Sequence, residues 1–332
     1  MVRLHCPTCG NEIFFDSLVC VRCHTELAVH VPPDGRVVVE DAADVGTCRM
    51  RDTWACNWRP PPHAPDGWCE NCVTVAAGRH ADNHLLVLFQ AAQRRALAQL
   101  TQLGVAWQHP PAGGRTTPPL RFTYLSRSAG DEAVIGHVGG HITLDLDEAD
   151  PARGEQIRTT LGEEYRTPLG HIRHELGHYM WLCSVAGDPA RLDRFRAMFG
   201  DERADYREAL DRHYSSPDDG SWRDQFVSHY ASAHPWEDFA ESWAQVMHTH
   251  DVVSTGASWG VIDLPSDRFE PRSWVSAAVR ASLAANELAR SMGMRDLYPF
   301  ALASRARRRI ETCWELVSGA WPDGESDGQT SC

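Results

Sequence analysis

Closely spaced cysteines at the start of the chain limit its fold more than any other feature. Eight of the eleven cysteines fall within the first 72 residues. The first four form the pattern C-x2-C-x10-C-x2-C, at Cys6, Cys9, Cys20 and Cys23. Two such pairs are typical of a zinc ribbon, in which four thiolates surround one tetrahedral Zn²⁺. We therefore predict a structural zinc site at these cysteines.

A competing motif lies inside this pattern, because residues 20–24 (CVRCH) also fit c-type haem attachment. The partner pair CPTC at ribbon spacing and the lack of an export-signal pattern at the N-terminus both favour zinc.

A second group follows at Cys48, Cys56, Cys69 and Cys72, in the pattern C-x7-C-x12-C-x2-C. Only its last pair has the regular knuckle spacing. We predict a second structural zinc site, and the alternative is that Cys48 and Cys56 are buried thiols while the last pair alone binds a metal. A cysteine-rich module this small buries little apolar surface, so bound metal would supply its folding free energy.

The other constraining motif is His-Glu-x-x-His within residues 171–181, HIRHELGHYMW. On a helix His174 and His178 lie one turn apart, so both imidazoles can bind one Zn²⁺. Glu175 is then placed to accept a proton from water whose pKa the metal lowers, as a general base. An ordinary amphipathic helix with surface histidines is the alternative, and we expect His171 to be solvated rather than to support the site.

A catalytic zinc of this kind needs a third protein ligand. The best candidates lie in residues 234–250, HPWEDFAESWAQVMHTH. Glu237 and Glu241 lie one turn apart, so Glu237 can bind zinc while Glu241 accepts a hydrogen bond from a zinc-binding imidazole. Asp238 and Glu241 compete as ligands, and acidic residues in a first helical turn are also favourable to the helix dipole alone.

A hydrogen-bond donor for the reaction's oxyanion is also expected. Tyr230 is our predicted catalytic residue for this role, with His229 beside it as the other main candidate. Several further aromatic residues compete, namely Tyr179, Tyr206, Tyr214, His213 and His234. We expect His248 and His250 to lie at the surface.

Composition restricts the remaining functions. The net charge is −13, and all 32 basic residues are arginine, which excludes lysine chemistry such as Schiff bases. The acidic balance argues against nucleic acid or an anionic membrane as the main partner. No apolar run approaches the ~18 residues of a membrane span, so we expect a cytoplasmic protein.

The remaining pattern predicts an α+β fold. A hairpin is expected at residues 26–41 and a helix at residues 81–103. Alternating, β-branched segments at residues 120–125 (LRFTYL) and 141–149 (HITLDLDEA) are typical of strands. Helical segments dominate from about residue 154 onward.

We divide the chain into a four-cysteine zinc-binding module (1–75), a catalytic domain (76–320) and a disordered tail (321–332). Residues 141–149 are predicted to be an edge strand to which a substrate peptide could add. Residues 189–214 are interpreted as a solvated helix pair, with a lid as the alternative.

Three motifs behind the zinc ribbon carry a family resemblance: RTPLGHIRHELGHYMW, FRAMFGDERADY and HPWEDFAESWA. They resemble the bacterial zinc-binding metallopeptidases of the Peptidase_Mx type, over the cysteine-rich head and roughly residues 120–300. The resemblance implies a zincin-like metallopeptidase domain with one catalytic zinc beside the structural ones. It implies no particular substrate.

The leading hypothesis is a zinc-dependent peptidase that acts on a peptide or protein, with one catalytic and two structural zinc ions. A second hypothesis is a catalytically silent adaptor whose zinc ribbon binds a partner protein. A third is a repair-type protease recruited to nucleic acid, which the acidic head, with 6 arginines against 10 acidic residues in 1–75, argues against.

Overall fold

The computed structural model describes most of the chain. The described residues are 2–62, 64, 66–77, 84–105, 107, 118–131, 135–154, 156, 167–265, 270–297 and 302–318. The predicted disordered tail at residues 321–332 lies outside them.

Short strands and longer helices make up the architecture. The strands are β1 (Leu4–His5), β2 (Glu12–Ile13), β3 (Leu27–His30), β4 (Val38–Asp41), β5 (Val75–Ala77), β6 (Arg121–Leu125), β7 (Gly136–Val138) and β8 (His141–Asp145). The helices are α1 (Ala42–Val45), α2 (Arg51–Trp54), α3 (Glu70–Val73), α4 (His84–Gln102), α5 (Pro168–Ser184), α6 (Pro189–Phe199), α7 (Tyr206–Ser215), α8 (Pro235–Ser258), α9 (Pro271–Ser291) and α10 (Ser304–Ser318). Small sheets with a mostly helical remainder confirm the predicted α+β class.

The N-terminal part contains two antiparallel pairs. β1 pairs with β2, and β3 pairs with β4 from Leu27 opposite Asp41 to His30 opposite Val38. The second pair confirms the hairpin predicted at residues 26–41.

A four-stranded sheet follows, in the order β5-β6-β8-β7. β6 lies parallel to β5 and β8, and β7 returns antiparallel to β8. The prediction that HITLDLDEA is an edge strand is therefore wrong, because β7 covers that side of β8. Gly139 and Gly140, both with positive φ, form the tight turn that brings β7 back.

Helices α5 and α8 pack together and carry the motifs singled out above. Each begins with a side-chain cap followed by proline, at Thr167–Pro168 and at His234–Pro235. The two backbones approach closely at Gly177, where an added Cβ would lie 2.6 Å from the Cα of Ala240. No larger residue fits at this crossing without moving one helix.

The cysteine-rich part and the helices share a continuous buried core. Arg95 of α4 contacts the N-terminal part, through an ion pair with Asp16 and a cation–π contact with Phe15. The predicted division after residue 75 falls inside β5, which pairs with β6. None of the described helices is long and apolar enough to cross a membrane.

The crossing of α5 and α8 predicts that Gly177→Ala is destabilising. The new methyl group would meet Ala240 backbone atoms at 2.6 and 2.9 Å, so the helices must separate. Overpacking of this kind costs roughly 1–3 kcal/mol in the free energy of unfolding, measurable by denaturant titration.

Gly256→Ala in α8 is the matched control, because the nearest atoms to its new methyl group would be the flexible Ile262 side chain at 3.2 Å and the Ala281 Cβ at an ordinary 3.6 Å. We expect it to change stability by no more than about 1 kcal/mol. Equal effects of both substitutions would contradict the proposed tight crossing.

Candidate active site

The two helices bring together the three side chains predicted to bind a catalytic metal. His174 and His178 of α5 face Glu237 of α8, whose Oε2 lies 3.1 Å from His174 Nε2 and 3.5 Å from His178 Nε2. One ligand atom from each residue lies within 4.8 Å of the others. All three are buried or half-buried.

These side chains fit zinc. Ligands about 2.1 Å from a tetrahedral Zn²⁺ lie ~3.4 Å from one another, close to the observed separations. Glu237 Oε2 is buried and has no hydrogen-bond partner, although it points at two imidazole nitrogens. A cation bound between these atoms would satisfy it.

Glu241 orients the first histidine. Its Oε1 lies 2.6 Å from His174 Nδ1, and its Oε2 accepts a hydrogen bond from Ser228 Oγ at 2.6 Å. With Nδ1 held in this way, His174 presents Nε2 to Glu237. The structure thus places Glu241 where an orienting acceptor was predicted, and Ser228 is an additional contact that the sequence did not reveal.

Tyr206 supports the carboxylate of Glu237. Its hydroxyl donates a hydrogen bond of 2.8 Å to Oε1, which leaves Oε2 directed at the histidines. Tyr206 opens α7, so the helix pair predicted at 189–214, which is largely exposed, also contributes one contact to the site. A tyrosine 31 residues before its partner offers no local sequence signal for this contact.

Glu175 is buried beside the metal-binding group. Its Oε1 lies 3.2 Å from His171 Nε2, and its Oε2 has no hydrogen-bond partner. Burial alone would raise the pKa of Glu175, but the hydrogen bond from His171 and the nearby histidine charges lower it to about 2. Glu175 is therefore ionised, the form that can accept a proton.

His171 departs from expectation. We predicted a solvated side chain, yet His171 is only 6% exposed and lies between two carboxylates, Glu175 and Glu148. The sequence reasoning missed this because Glu148 reaches the helix only through the position of β8 in the sheet.

Tyr230 lies over the first histidine, with 5.8 Å between its ring centroid and that of His174. Burial and the nearby Glu237 charge raise its pKa, so it remains a protonated donor. The neighbouring candidate His229 is directed elsewhere, with its ring 4.2 Å from that of His213.

Other candidates have different surroundings. The Tyr179 hydroxyl donates to the Pro118 carbonyl, and His234 caps α8 by accepting the Trp236 amide. Tyr214 is exposed.

Asp238, the competing ligand, pairs with Arg309 of α10 at 2.6 Å instead of facing the metal-binding group. Burial raises the pKa of Asp238 to about 7 against the opposing effect of Arg309.

The prediction that His248 and His250 lie at the surface is wrong, because both are half-buried and the His250 ring stacks on Trp274.

The first four cysteines converge as a ribbon requires. Sulfur–sulfur distances are 3.6 Å for Cys6–Cys23 and 3.7 Å for Cys9–Cys20. Thiolates bound to Zn²⁺ at about 2.3 Å lie ~3.8 Å apart, so the group fits zinc.

Each cysteine pair ends in the same backbone turn. Gly10 and His24 both have positive φ, and their amides donate to the carbonyls of Cys6 and Cys20. His24 thus occupies the same turn position as Gly10, as expected for a zinc knuckle, which favours this interpretation over haem attachment at CVRCH.

The second group also converges, with all four cysteines no more than 1% exposed. Cys56 lies 3.6 Å from both Cys69 and Cys72, and the Cys69 amide donates to Cys48 Sγ. All four thiols therefore form one potential metal site, against the alternative in which only the last pair binds.

Arg94 of α4 lies close to this second group. It is 1% exposed, and its Nε and one terminal nitrogen have no hydrogen-bond partner. Its charge favours the thiolate form of Cys56, and the adjacent Gln93 hydrogen-bonds Thr74, two residues after Cys72. One Zn²⁺ with four thiolates carries a net charge of −2, which a buried guanidinium would partly neutralise.

Comparisons with known proteins agree with this geometry. The Peptidase_Mx family model, whose description reads "Putative zinc-binding metallo-peptidase", matches residues 84–316. An uncharacterized protein of Mycobacterium bovis and one of Mycobacterium tuberculosis are each 36% identical to this chain over 349 aligned residues, covering 98% of either chain. No solved structure matches the chain. The predicted resemblance is thereby confirmed.

The Tyr206 contact predicts weaker metal binding in Tyr206→Phe. Loss of a hydrogen bond to a metal ligand typically lowers affinity by 10- to 100-fold, so we expect a reduction of about tenfold. Chelator competition measures this zinc affinity, and the signal followed is the zinc bound by the histidine and glutamate ligands rather than by the cysteines. Tyr214→Phe on the same helix is the control and should bind zinc as the wild type does.

The position of Arg94 predicts that Arg94→Met loses zinc from the second cysteine group. Without the guanidinium, the negative charge of the thiolates is buried without compensation, and we expect roughly tenfold faster release to a chelator. Cobalt substitution, with its thiolate charge-transfer absorption, reports on both four-cysteine groups, and Arg94→Met should accelerate only the part of the release that belongs to the second group. Arg95→Met, on the neighbouring position of α4, should leave the release rate unchanged; equal rates in both variants would contradict the role of Arg94.

Proposed function

The chain belongs to the Peptidase_Mx family of zinc-binding metallopeptidases, and we propose on this premise that it hydrolyses peptide bonds. The proposed ligands of its catalytic zinc are His174, His178 and Glu237. The observation that carries the proposal is that these ligand atoms lie within 4.8 Å of one another beside the buried carboxylate of Glu175, whose Oε2 has no hydrogen-bond partner.

In the proposed reaction, zinc supplies Lewis acidity that lowers the pKa of water and polarises the scissile carbonyl. Glu175 accepts the proton of the attacking water, for which its unpartnered Oε2 is available. It then returns that proton to the leaving amine. The protonated Tyr230 hydroxyl is the proposed donor to the oxyanion, since its ring lies next to His174.

The sheet supports an extended peptide as the substrate. β7 is the edge strand on the side of the site, and its residue His137 has its ring 6.3 Å from that of His178. Val138 in the same strand is 78% exposed. A peptide pairing with β7 would present its backbone to the proposed zinc site by strand addition.

One observation favours a protein partner in addition to a substrate. Phe14 and Val21 of the first cysteine module are 79% and 83% exposed, unusual values for large apolar side chains. The adaptor hypothesis therefore survives as a second role of this module. We further propose a reducing, cytoplasmic location, because the described cysteines are all free and eight of them lie in the two groups that could hold a metal.

Replacement of Glu175 by glutamine tests the proposed function. Removal of the general base should lower hydrolysis of a peptide library by at least about 100-fold while the bound zinc is retained. Elemental analysis and chelator titration check zinc content, and added zinc should restore activity to chelator-treated wild type. Glu315→Gln, on the exposed face of α10, is the matched control and should cleave normally.

Full activity of Glu175→Gln in a folded, zinc-loaded protein would sink the proposal. So would a zinc-loaded wild type that cleaves no member of the library.

A further inference from the structure

We propose that His171, anchored by Glu148, is the positioning residue that holds Glu175 in its working orientation. The inference rests on the proposed function, because it concerns the general base of that reaction. It adds two residues to the site, one from α5 and one from the end of the sheet.

The contacts form a buried chain of three side chains. Glu148 Oε2 lies 2.7 Å from His171 Nδ1, and His171 Nε2 lies 3.2 Å from Glu175 Oε1. The three side chains are between 4% and 8% exposed. Polar groups buried this deeply are costly unless paired, so the chain specifies one arrangement of its members.

The anchor itself is held firmly. Glu148 lies in a 3-10 turn, Leu146–Ala149, directly after β8. The neighbouring Asp147 accepts hydrogen bonds from Ser126 and Ser128, which fix this turn to the end of β6. The position of Glu148 is therefore set by the sheet, and its contact with His171 fixes the orientation of that imidazole on α5.

The two oxygens of Glu175 have unequal surroundings. Oε1 faces the His171 nitrogen, whereas Oε2 is buried without a hydrogen-bond partner. The terminal torsion of a glutamate is soft, so one fixed oxygen determines where the other points. His171 would therefore keep Oε2 directed at the reacting water, and a misdirected base should lower kcat more than it changes KM.

The same helix provides a comparison for a purely structural role. Arg173, two residues along α5, pairs with Asp251 at 2.7 Å, and its Nε donates to Gln99. These contacts join α5 to α8 and α4. Their loss should affect stability and leave the chemistry unchanged.

The test compares His171→Leu with His171→Gln in the full-length, zinc-loaded protein. We expect kcat for a cleaved library peptide to fall by about 10- to 100-fold in His171→Leu, with KM within about twofold of wild type. In His171→Gln the amide nitrogen lies near the original Nε2 and should restore much of kcat. Asp251→Asn is the control, expected to lower stability with kcat unchanged.

A second measurement does not depend on activity. In crystal structures of the zinc-loaded variants, the Glu175 carboxylate should rotate in His171→Leu and keep its wild-type orientation in His171→Gln. If His171→Leu fails to fold because Glu148 loses the imidazole beside it, the double variant Glu148→Gln/His171→Leu removes that buried charge and serves in its place.

The outcomes separate this inference from the proposed function. An unmoved carboxylate together with an unchanged kcat in His171→Leu would overturn the inference, even if Glu175→Gln is inactive. A wild type that cleaves nothing, in which Glu175 nevertheless rotates when His171 is replaced, would refute the proposed function and support the positioning role.

Discussion

The contact of two helix backbones at Gly177 is the constraint on which the site depends. Only at this short distance does Glu237 approach His174 and His178 closely enough for one cation to join all three. A single glycine within the motif, unfavourable to a helix by about 1 kcal/mol, thus allows ligands distant in sequence to meet. The cost in helix propensity is offset by tight packing of two long, capped helices.

The site contains several buried carboxylates whose negative charge needs compensation. Glu148, Glu175, Glu237 and Glu241 are buried or half-buried, and they contact the imidazoles of His171 and His174 and the hydroxyl groups of Tyr206 and Ser228. So much buried negative charge is unfavourable without a cation. The second cysteine group presents the same problem, and there a permanent positive charge on Arg94 helps to balance it.

Local spacing explains which parts of the site were predictable. The His-Glu-x-x-His motif and the pair Glu237 and Glu241 were predictable from the sequence, because helical periodicity alone places their side chains on one face. The contacts of Glu148 and Tyr206 depend on how the sheet and α7 pack, which no spacing encodes. The position of β8 was mistaken for the same reason: its alternating pattern predicts a strand, but strand order depends on the glycine turn that adds β7.

The second cysteine group is separated from the sheet by very little chain. Only two residues separate Cys72 in α3 from β5, and β5 pairs with β6 at the border of the sheet. If this group holds a metal, metal loading and completion of the sheet would be parts of a single folding event. In a chain synthesised during zinc scarcity, β6 would keep β8 but lack β5 on its other side, so the metal supply of the cell would set how much of the protein completes its sheet.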